Sequence, residues 1–352
     1  MTPTAAYAAA SAQSKLAPFT IDRRDPGPHE VLIDILFCGV CHSDIHEVRN
    51  EWGGSLYPMV PGHEIIGTII KTGEQVTQWR VGTTVGVGYF VNSCKTCEAC
   101  KEGEEQYCTA GMTTTFNGRE RDGKTPTYGG FSTRITVHED YVLRIPDGLP
   151  LERMAPLLCA GITTYSPLRH FGVTAGDKVA VVGLGGLGHM GVKIAKAMGA
   201  HVTVLSHSAG KRDDALALGA EDFIDTSEKD AFTIHNCRFD FILDTISAQH
   251  DYNAYLGLLR RDCTMVLVGI PDPMPLSAVP LVIQRRRLAG SLIGGIRETQ
   301  EMLDFCAEHG VSADVELIPI QRINEAYERI LKSDVKYRFV IDMASLKQPC
   351  SP

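Results

Sequence analysis

Apolar residues along this chain follow two different rhythms. From Lys15 to Arg144 they come in short runs or alternation rich in β-branched side chains, punctuated by Gly and Pro. The runs Val31–Cys38, Ile65–Lys71, Thr84–Phe90 and Phe131–Arg144 therefore predict strands. Residues 91–130 lack that rhythm and read as a loop-rich insert. After the turn Ile145-Pro146-Asp147-Gly148 the pattern changes. Lys178–Gly183, His201–Leu205, Phe239–Asp244 and Thr264–Gly269 are continuous apolar runs, while Leu187–Met198 and Lys211–Leu218 repeat with a helical period. Strands that alternate with helices in this way are buried on both faces, as in a parallel sheet covered on each side. Beyond residue 296 two helices, Glu298–His309 and Ile323–Lys332, precede a closing strand, Tyr337–Asp342. The expected class is α/β, with a β-rich part beside a doubly wound sheet. No internal repeat or low-complexity tract interrupts it.

A chain of 352 residues suggests about two domains. It is 44% hydrophobic and 22% charged, enough for a sizeable core. The formal charge of −8 argues against nucleic acid or an anionic membrane as a partner. No apolar run is long enough to span a bilayer. Met1–Gln13 is Ala-rich but has no basic segment, so it does not read as a signal peptide. Eleven cysteines are present. Outside one tight run they are scattered (Cys38, Cys41, Cys159, Cys237, Cys263, Cys306 and Cys350), which suggests free thiols and a cytoplasmic location.

The tight run is Cys94, Cys97, Cys100 and Cys108, spaced C-x2-C-x2-C-x7-C. Thiolates are soft ligands, and four on one loop close a tetrahedral zinc site. Such a site has no open position and is structural. The alternative of disulfides is crowded out by the three-residue spacing.

The strand Lys178–Gly183 runs into Gly183-Leu184-Gly185-Gly186-Leu187-Gly188, a G-x-G-x-x-G pattern that opens a helix. In that context the glycines allow a tight turn, a close approach of pyrophosphate and close strand–helix packing. The next strand ends at Ser206-His207-Ser208-Ala209-Gly210-Lys211-Arg212. It has no acid for a ribose 2′-hydroxyl; hydroxyls and two cations suit a 2′-phosphate instead. NADP(H) is therefore the expected cofactor. The alternative leaves Lys211 and Arg212 as solvated residues of a first helical turn.

Three more segments carry ligand chemistry: Gly39-Val40-Cys41-His42-Ser43-Asp44-Ile45-His46, Pro61-Gly62-His63-Glu64 and Leu158-Cys159-Ala160-Gly161. Singly, each also reads as a buried thiol or a structural histidine. Together, Cys41, His63 and Cys159 give the three-ligand zinc set that leaves a place for substrate, with Glu64 adjacent as a fourth.

With these motifs in hand, the chain resembles the zinc-dependent medium-chain alcohol dehydrogenases. It is most similar to their cinnamyl alcohol dehydrogenase-like group, which includes bacterial NADPH-dependent broad-range aldehyde reductases. The resemblance rests on G-V-C-H-S-D at 39–44, P-G-H-E at 61–64, the four-cysteine run, C-A-G-I-T-T-Y at 159–165 and G-L-G-G-L-G-H-M-G at 183–191. It continues through G-S-L-I-G-G at 290–295 and V-K-Y-R-F-V-I-D at 335–342. It implies a GroES-like catalytic domain from residues 1–154 and 297–352, and a Rossmann domain from 155–296. By position it makes Cys41, His63 and Cys159 the catalytic zinc ligands with Glu64 exchangeable, and Cys94, Cys97, Cys100 and Cys108 the structural zinc ligands, two ions per subunit. Ser43 would pass a proton and touch the cofactor, and His46 would link that relay to solvent. Thr163, Gly183 to Gly188, Ser206, His207, Ser208, Lys211, Thr245, Gly269, Ser291, Leu292 and Ile293 would line NADP(H). The implied activity is reversible reduction of aromatic and medium-chain aliphatic aldehydes to primary alcohols by a homodimer.

The chain departs from that family in places. Met112-Thr113-Thr114-Thr115-Phe116-Asn117 is smaller and more polar than the aromatic wall of plant cinnamyl alcohol dehydrogenases, and Leu292 replaces a frequent Phe. Val81-Gly82-Thr83-Thr84-Val85 lacks the usual Gly-Asp turn. Trp52 and Tyr89 read equally as pocket or as core. Breadth across aldehydes is expected, since a hydrophobic wall discriminates by only about 1–3 kcal/mol. The rivals are an alcohol-oxidising dehydrogenase and a non-catalytic nucleotide-binding or structural relative. The latter should have lost ligands, and none is missing.

Overall fold

The strand Glu30–Val40 organises the larger of the two main sheets. In the computed structural model, which describes residues 1–270 and 273–347, the chain divides into two compact units. One is Met1–Cys159 with the segment from Gly294 on, and the other is Ala160–Ile293.

In the first unit Glu30–Val40 has three antiparallel partners: Ile65–Thr72, Arg134–His138 and Arg338–Asp342. Its β-branched and apolar residues Val31, Ile33, Ile35 and Val40 are all buried, as suits a strand covered on both faces. The sheet has seven strands and continues through Thr84–Val87 to Leu143–Arg144 on one side and Val315–Pro319 on the other. A separate hairpin pairs Thr2–Ala8 with Ala17–Arg23.

The second unit is a six-stranded parallel sheet. Its spatial order is Asp222–Asp225, His201–Ser206, Lys178–Val182, Phe239–Asp244, Leu259–Leu267, Arg287–Gly290. Counted within the unit, strand order reverses between Lys178–Val182 and Phe239–Asp244. Ligands bind at this point in doubly wound folds, outside the carboxyl ends of the strands. On one face of the sheet Val182, Leu205, Phe239, Ile242, Leu256 and Met265 close into a single apolar cluster.

Several predicted elements differ from those observed. Thr84–Phe90 is two strands, Thr84–Val87 and Phe90–Asn92, parted at Gly88-Tyr89. Phe131–Arg144 yields the strand Arg134–His138, then a tight helical turn at Glu139–Tyr141, whose N-terminus His138 caps by accepting the Asp140 N–H. Residues 91–130 hold the short helix Glu98–Glu102 and the strand Thr113–Thr114. Sequence pattern missed the hairpin strand Thr2–Ala8, the short helix His42–Val48 and the helix Ala160–His170. That last helix is buried almost all round, so it shows no amphipathic period. All ten described cysteines are free thiols; Cys350 lies outside the described residues. Among the described residues no helix is long and apolar enough to cross a membrane.

Phe239 is fully buried in the apolar cluster of the second unit. Phe239→Ala should cost about 3–5 kcal/mol in urea unfolding. A loss below about 1 kcal/mol would mean that the cluster is not close-packed.

Candidate active site

Strand register assembles the first group of ligands. Cys38 pairs with Ile65 and Val40 with Phe339, so Cys41, His63, Glu64 and Arg338 all leave or enter their strands at one end of the sheet. The Gly39 N–H donates to the Glu64 carbonyl at 2.9 Å. Gly39 must be glycine here, because a Cβ would run into the Glu64 carboxylate. Cys159 arrives on the turn of helix Ala155–Leu158, whose Leu158 packs against Gly86. The ligand atoms of Cys41, His63, Glu64 and Cys159 lie within 4.8 Å of one another, and all four residues are buried. The two sulfurs are 3.9 Å apart.

Asp44 holds this group from behind and is wholly buried. Its Oδ2 accepts the Cys41 N–H at 2.8 Å. Its Oδ1 accepts from the Gly62 N–H at 3.0 Å and from His63 Nδ1 at 3.1 Å. With Nδ1 donating, Nε2 carries the lone pair, and that atom is buried with no hydrogen-bond partner. Glu64 Oε2 is likewise buried and unpartnered, while Oε1 accepts from the buried Arg338 guanidinium. Two thiols converge with one imidazole nitrogen and one carboxylate oxygen, the latter two without a hydrogen-bond partner, and this donor set fits a zinc ion.

The electrostatics agree with that donor set. The facing Cys159 thiol favours thiolate at Cys41 and outweighs burial, with help from Arg338 and His63, so the Cys41 pKa falls well below the usual range. The same sulfur contact raises Cys159. Burial works against charge on His63, but the Asp44 carboxylate and Cys41 outweigh it. Burial pushes Glu64 up to about 8, only partly offset by Arg338.

Around this group, Ser43 Oγ lies 3.6 Å from Cys41 Sγ. His46 Nδ1 meets Glu51 Oε2 at 2.5 Å, and its ring stacks on Trp52 with centroids 4.8 Å apart. Trp52 is 41% exposed, so it belongs to the rim beside His46 and not to a core. Tyr89 presents its ring edge-on to His63 at 5.1 Å, and Phe116 stacks on the same imidazole at 5.7 Å. An aromatic wall therefore persists on one side despite the polar Thr113-Thr114-Thr115 run.

Cys94, Cys97, Cys100 and Cys108 form a second four-donor group with ligand atoms within the same 4.8 Å limit. Cys97 precedes the helix Glu98–Glu102, which ends at Gly103 in the left-handed region (φ 80°). Backbone N–H groups of Thr96 and Cys97 pull the Cys94 pKa down to about 5. The Cys97 N–H donates to Cys94 Sγ at 3.3 Å and the Cys94 N–H to Cys108 Sγ at 3.4 Å. Thiolates held by backbone donors fit a closed structural zinc.

In the second unit, nearly all the residues expected to line a nucleotide follow the carboxyl ends of the strands. Gly183 turns at φ 88° directly after Lys178–Val182. A Cβ on Gly188 would collide with the Gly183 carbonyl, whereas Gly185 faces open space. That cradle fits a pyrophosphate. Leu184 is buried, and Gly186 and Leu187 complete the turn into the helix Gly188–Ala197. Lys211 Nζ reaches across to donate to the Leu184 carbonyl at 3.0 Å, so it folds over the turn and is not a free surface cation. Arg212 instead lies over the Phe223 ring at 5.0 Å. Ser206 is buried at its strand end and accepts the Ser208 N–H at 3.2 Å, with His207 exposed between them. Thr245 donates to the Val182 carbonyl at 2.7 Å, and Gly269 backs onto the Ile246 carbonyl. The Ser291 N–H donates to the Leu267 carbonyl at 3.1 Å. Leu292 is exposed, and Ile293 is buried with φ 38°. Thr163 is buried in the helix Ala160–His170, which packs on Gly188–Ala197.

Sequence reasoning missed Asp44, Arg338 and Glu51. Asp44 carried a local signal, an acid three residues after Cys41 at a helix start, which is capping-box spacing. Arg338 carried none, because its partner Glu64 is distant in sequence.

Comparison with known proteins shows the family. The family model described as alcohol dehydrogenase GroES-like domain matches residues 27–147, and that described as zinc-binding dehydrogenase matches residues 186–308. NADP-dependent alcohol dehydrogenase C 1 of Mycolicibacterium smegmatis is 59% identical over 99% of this chain and 100% of its own. Aldehyde reductase YahK of Escherichia coli is 54% identical over 97% of this chain and 98% of its own. The solved structure of a cinnamyl alcohol dehydrogenase from Sorghum bicolor superposes with a TM-score of 0.95 at 46% identity, covering 97% of this chain and 98% of that one. The chain belongs to the zinc-dependent alcohol dehydrogenases, in the group that also holds the cinnamyl alcohol dehydrogenases and these bacterial reductases.

Proposed function

We propose that this protein is a zinc-dependent, NADP(H)-using alcohol dehydrogenase that reduces aromatic and medium-chain aliphatic aldehydes to primary alcohols, and runs in reverse. The observation that carries this reading is the buried group of Cys41, His63, Glu64 and Cys159, in a chain 59% identical to an NADP-dependent alcohol dehydrogenase. Complete donor sets argue against a non-catalytic relative.

When bound, zinc at Cys41, His63 and Cys159 is the Lewis acid for a carbonyl oxygen, and NADPH is the hydride donor. The chain's own residues prepare that chemistry. Two thiolates balance the charge of a divalent ion. Asp44 fixes the His63 tautomer, so that Nε2 faces the sulfurs. Arg338 holds Glu64 and supplies positive charge beside Cys41. Ser43, on the first turn of the helix after Cys41, delivers the proton to the alkoxide oxygen or takes it from the alcohol. His46, against Glu51 at the surface, exchanges that proton with water. Tyr89, Phe116 and Trp52 offer aromatic surface to a substrate ring, with breadth and not strict selectivity. Lys211, Ser206 and Ser208 select NADP(H) by meeting a 2′-phosphate.

The exposed thiol Cys237 and the absence of disulfides among the described cysteines support a cytoplasmic location. A homodimer is supported by the edge strand Arg287–Gly290, which has no strand partner on one side among the described residues, beside exposed Val279, Val282 and Ile283. A second copy of this chain pairing there would extend the sheet and cover those side chains.

Metal analysis should find two zinc ions per subunit. Cys41→Ala or Cys159→Ala should lower aldehyde reduction by at least about a thousandfold while NADPH still binds. Cys94→Ser should lose the other ion and lower the melting temperature; full activity in Cys41→Ala would end the reading. Lys211→Glu should weaken NADPH at least about tenfold more than NADH, and equal losses would contradict the 2′-phosphate assignment. Sedimentation should give a dimer that Val282→Asp with Ile283→Asp splits to monomer; a wild-type monomer at micromolar concentration would remove that proposal.

A further inference from the structure

His250 takes no part in the reading above, yet its surroundings specify its charge. It ends the loop that follows the strand Phe239–Asp244, and its side chain is 11% exposed. Nε2 meets Asp244 Oδ2 at 2.8 Å, and Nδ1 meets the Ala248 carbonyl at 2.9 Å. Both partners are acceptors only. A neutral imidazole has one N–H, so it leaves a lone pair facing one of these oxygens; an imidazolium satisfies both. The Tyr252 ring packs beside the imidazole with centroids 4.1 Å apart, tilted by 44°, and the Tyr255 ring meets it edge to face at 5.2 Å. Asp251, the cap of the helix Tyr252–Gly257, adds a second carboxylate. Burial opposes the charge, but Asp244 with the Ala248 carbonyl and Asp251 outweighs it and lifts the pKa above the ordinary histidine value. Asp244, Asp251, Tyr252 and Tyr255 are the titratable groups facing this ring from the strand and from the helix.

The loop that His250 closes is a wall of the nucleotide cradle. Asp244 accepts the Ile246 N–H through Oδ1 at 3.0 Å and holds His250 through Oδ2, so one carboxylate ties the loop's start to its end. Between them, Ile246 and Thr245 stand against Gly183, leaving a Cβ there only 3.0 and 3.1 Å from their side chains. The Ile246 carbonyl backs onto Gly269. If the loop moves, the Gly183 turn loses its support.

We propose that His250 is a positioning residue for the cofactor: an imidazolium clasp that locks the 244–250 loop against the Gly183 turn, so that NADP(H) affinity falls as this histidine loses its proton. The proposal rests on the nucleotide reading of that turn. The sign follows from the geometry. Below the titration both ring nitrogens donate and the loop is closed; above it one contact is lost, and binding must order the loop at a cost.

The test is NADPH fluorescence titration of the full-length zinc-loaded protein from about pH 6 to about pH 9, with wild type, His250→Gln and Asp244→Asn. Gln carries both its N–H donors on one nitrogen beside an acceptor oxygen, so it cannot donate to Asp244 and to the Ala248 carbonyl as the two ring nitrogens do, and its NADPH Kd should be about tenfold above wild type at the acid end and converge toward it at the alkaline end. Saturating NADPH should restore kcat. Asp244→Asn should move the wild-type break to lower pH, and it serves if His250→Gln does not fold. Nitrogen-15 NMR of labelled histidine should show both His250 nitrogens protonated at the acid end. A neutral His250 there, or Kd profiles that run parallel in wild type and variants, overturns the clasp. Wild type that binds no NADPH at any pH overturns the nucleotide reading itself.

Discussion

The carboxylate of Asp44 is the interaction on which the metal group depends. It accepts three donors, the backbone N–H groups of Cys41 and Gly62 and the imidazole N–H of His63, and it is sealed from water. A buried carboxylate is tolerable only when its lone pairs are used, and here they bind together the two segments that supply sulfur and nitrogen. The same contacts orient the helix His42–Val48, which carries Ser43 and His46. The placement of the donor atoms, the histidine tautomer and the positions of Ser43 and His46 are therefore set by one buried carboxylate.

Opposite Asp44, Arg338 performs the complementary task. Burial and the neighbouring charge at Cys41 push Glu64 toward its neutral form, against the charge on its carboxylate. Arg338 enters on the last strand, pinned by the Phe339–Val40 register, and compensates that charge. Breaking such a pair leaves an unpaired buried charge, typically worth about 3–5 kcal/mol. The closing strand of the chain is thus part of the site as well as of the sheet.

Much of this was legible in sequence, and the reasons differ by feature. The four-cysteine run sits in a short, unusual spacing, and the Gly-rich turn follows a strand and opens a helix, so local pattern sufficed there; Cys41, His63 with Glu64, and Cys159 lie far apart in sequence and were legible only in combination. The parallel sheet announced itself through continuous apolar runs such as Phe239–Asp244, which was read to the residue. Elements whose burial is two-sided or whose length is short were not legible. The helix Ala160–His170 has no polar face, and the Thr2–Ala8 strand is an Ala-rich stretch whose partner supplies the order. Arg338 and His250 escaped because their meaning is a partner's position, which spacing along the chain does not encode.

Asp44 and Asp244 solve one problem in the two units. Each ends or follows a strand, each accepts a histidine N–H with one oxygen, and each uses an oxygen to hold a nearby backbone N–H. The outcome differs in the second ring nitrogen. His63 Nε2 faces sulfurs and needs a lone pair to bind a metal, so the pair must leave that ring neutral when loaded. His250 Nδ1 faces a carbonyl and needs a proton. The same Asp–His contact therefore suits a metal-ligand histidine in one unit and the proposed cationic clasp in the other, and the atom beyond the second nitrogen decides which.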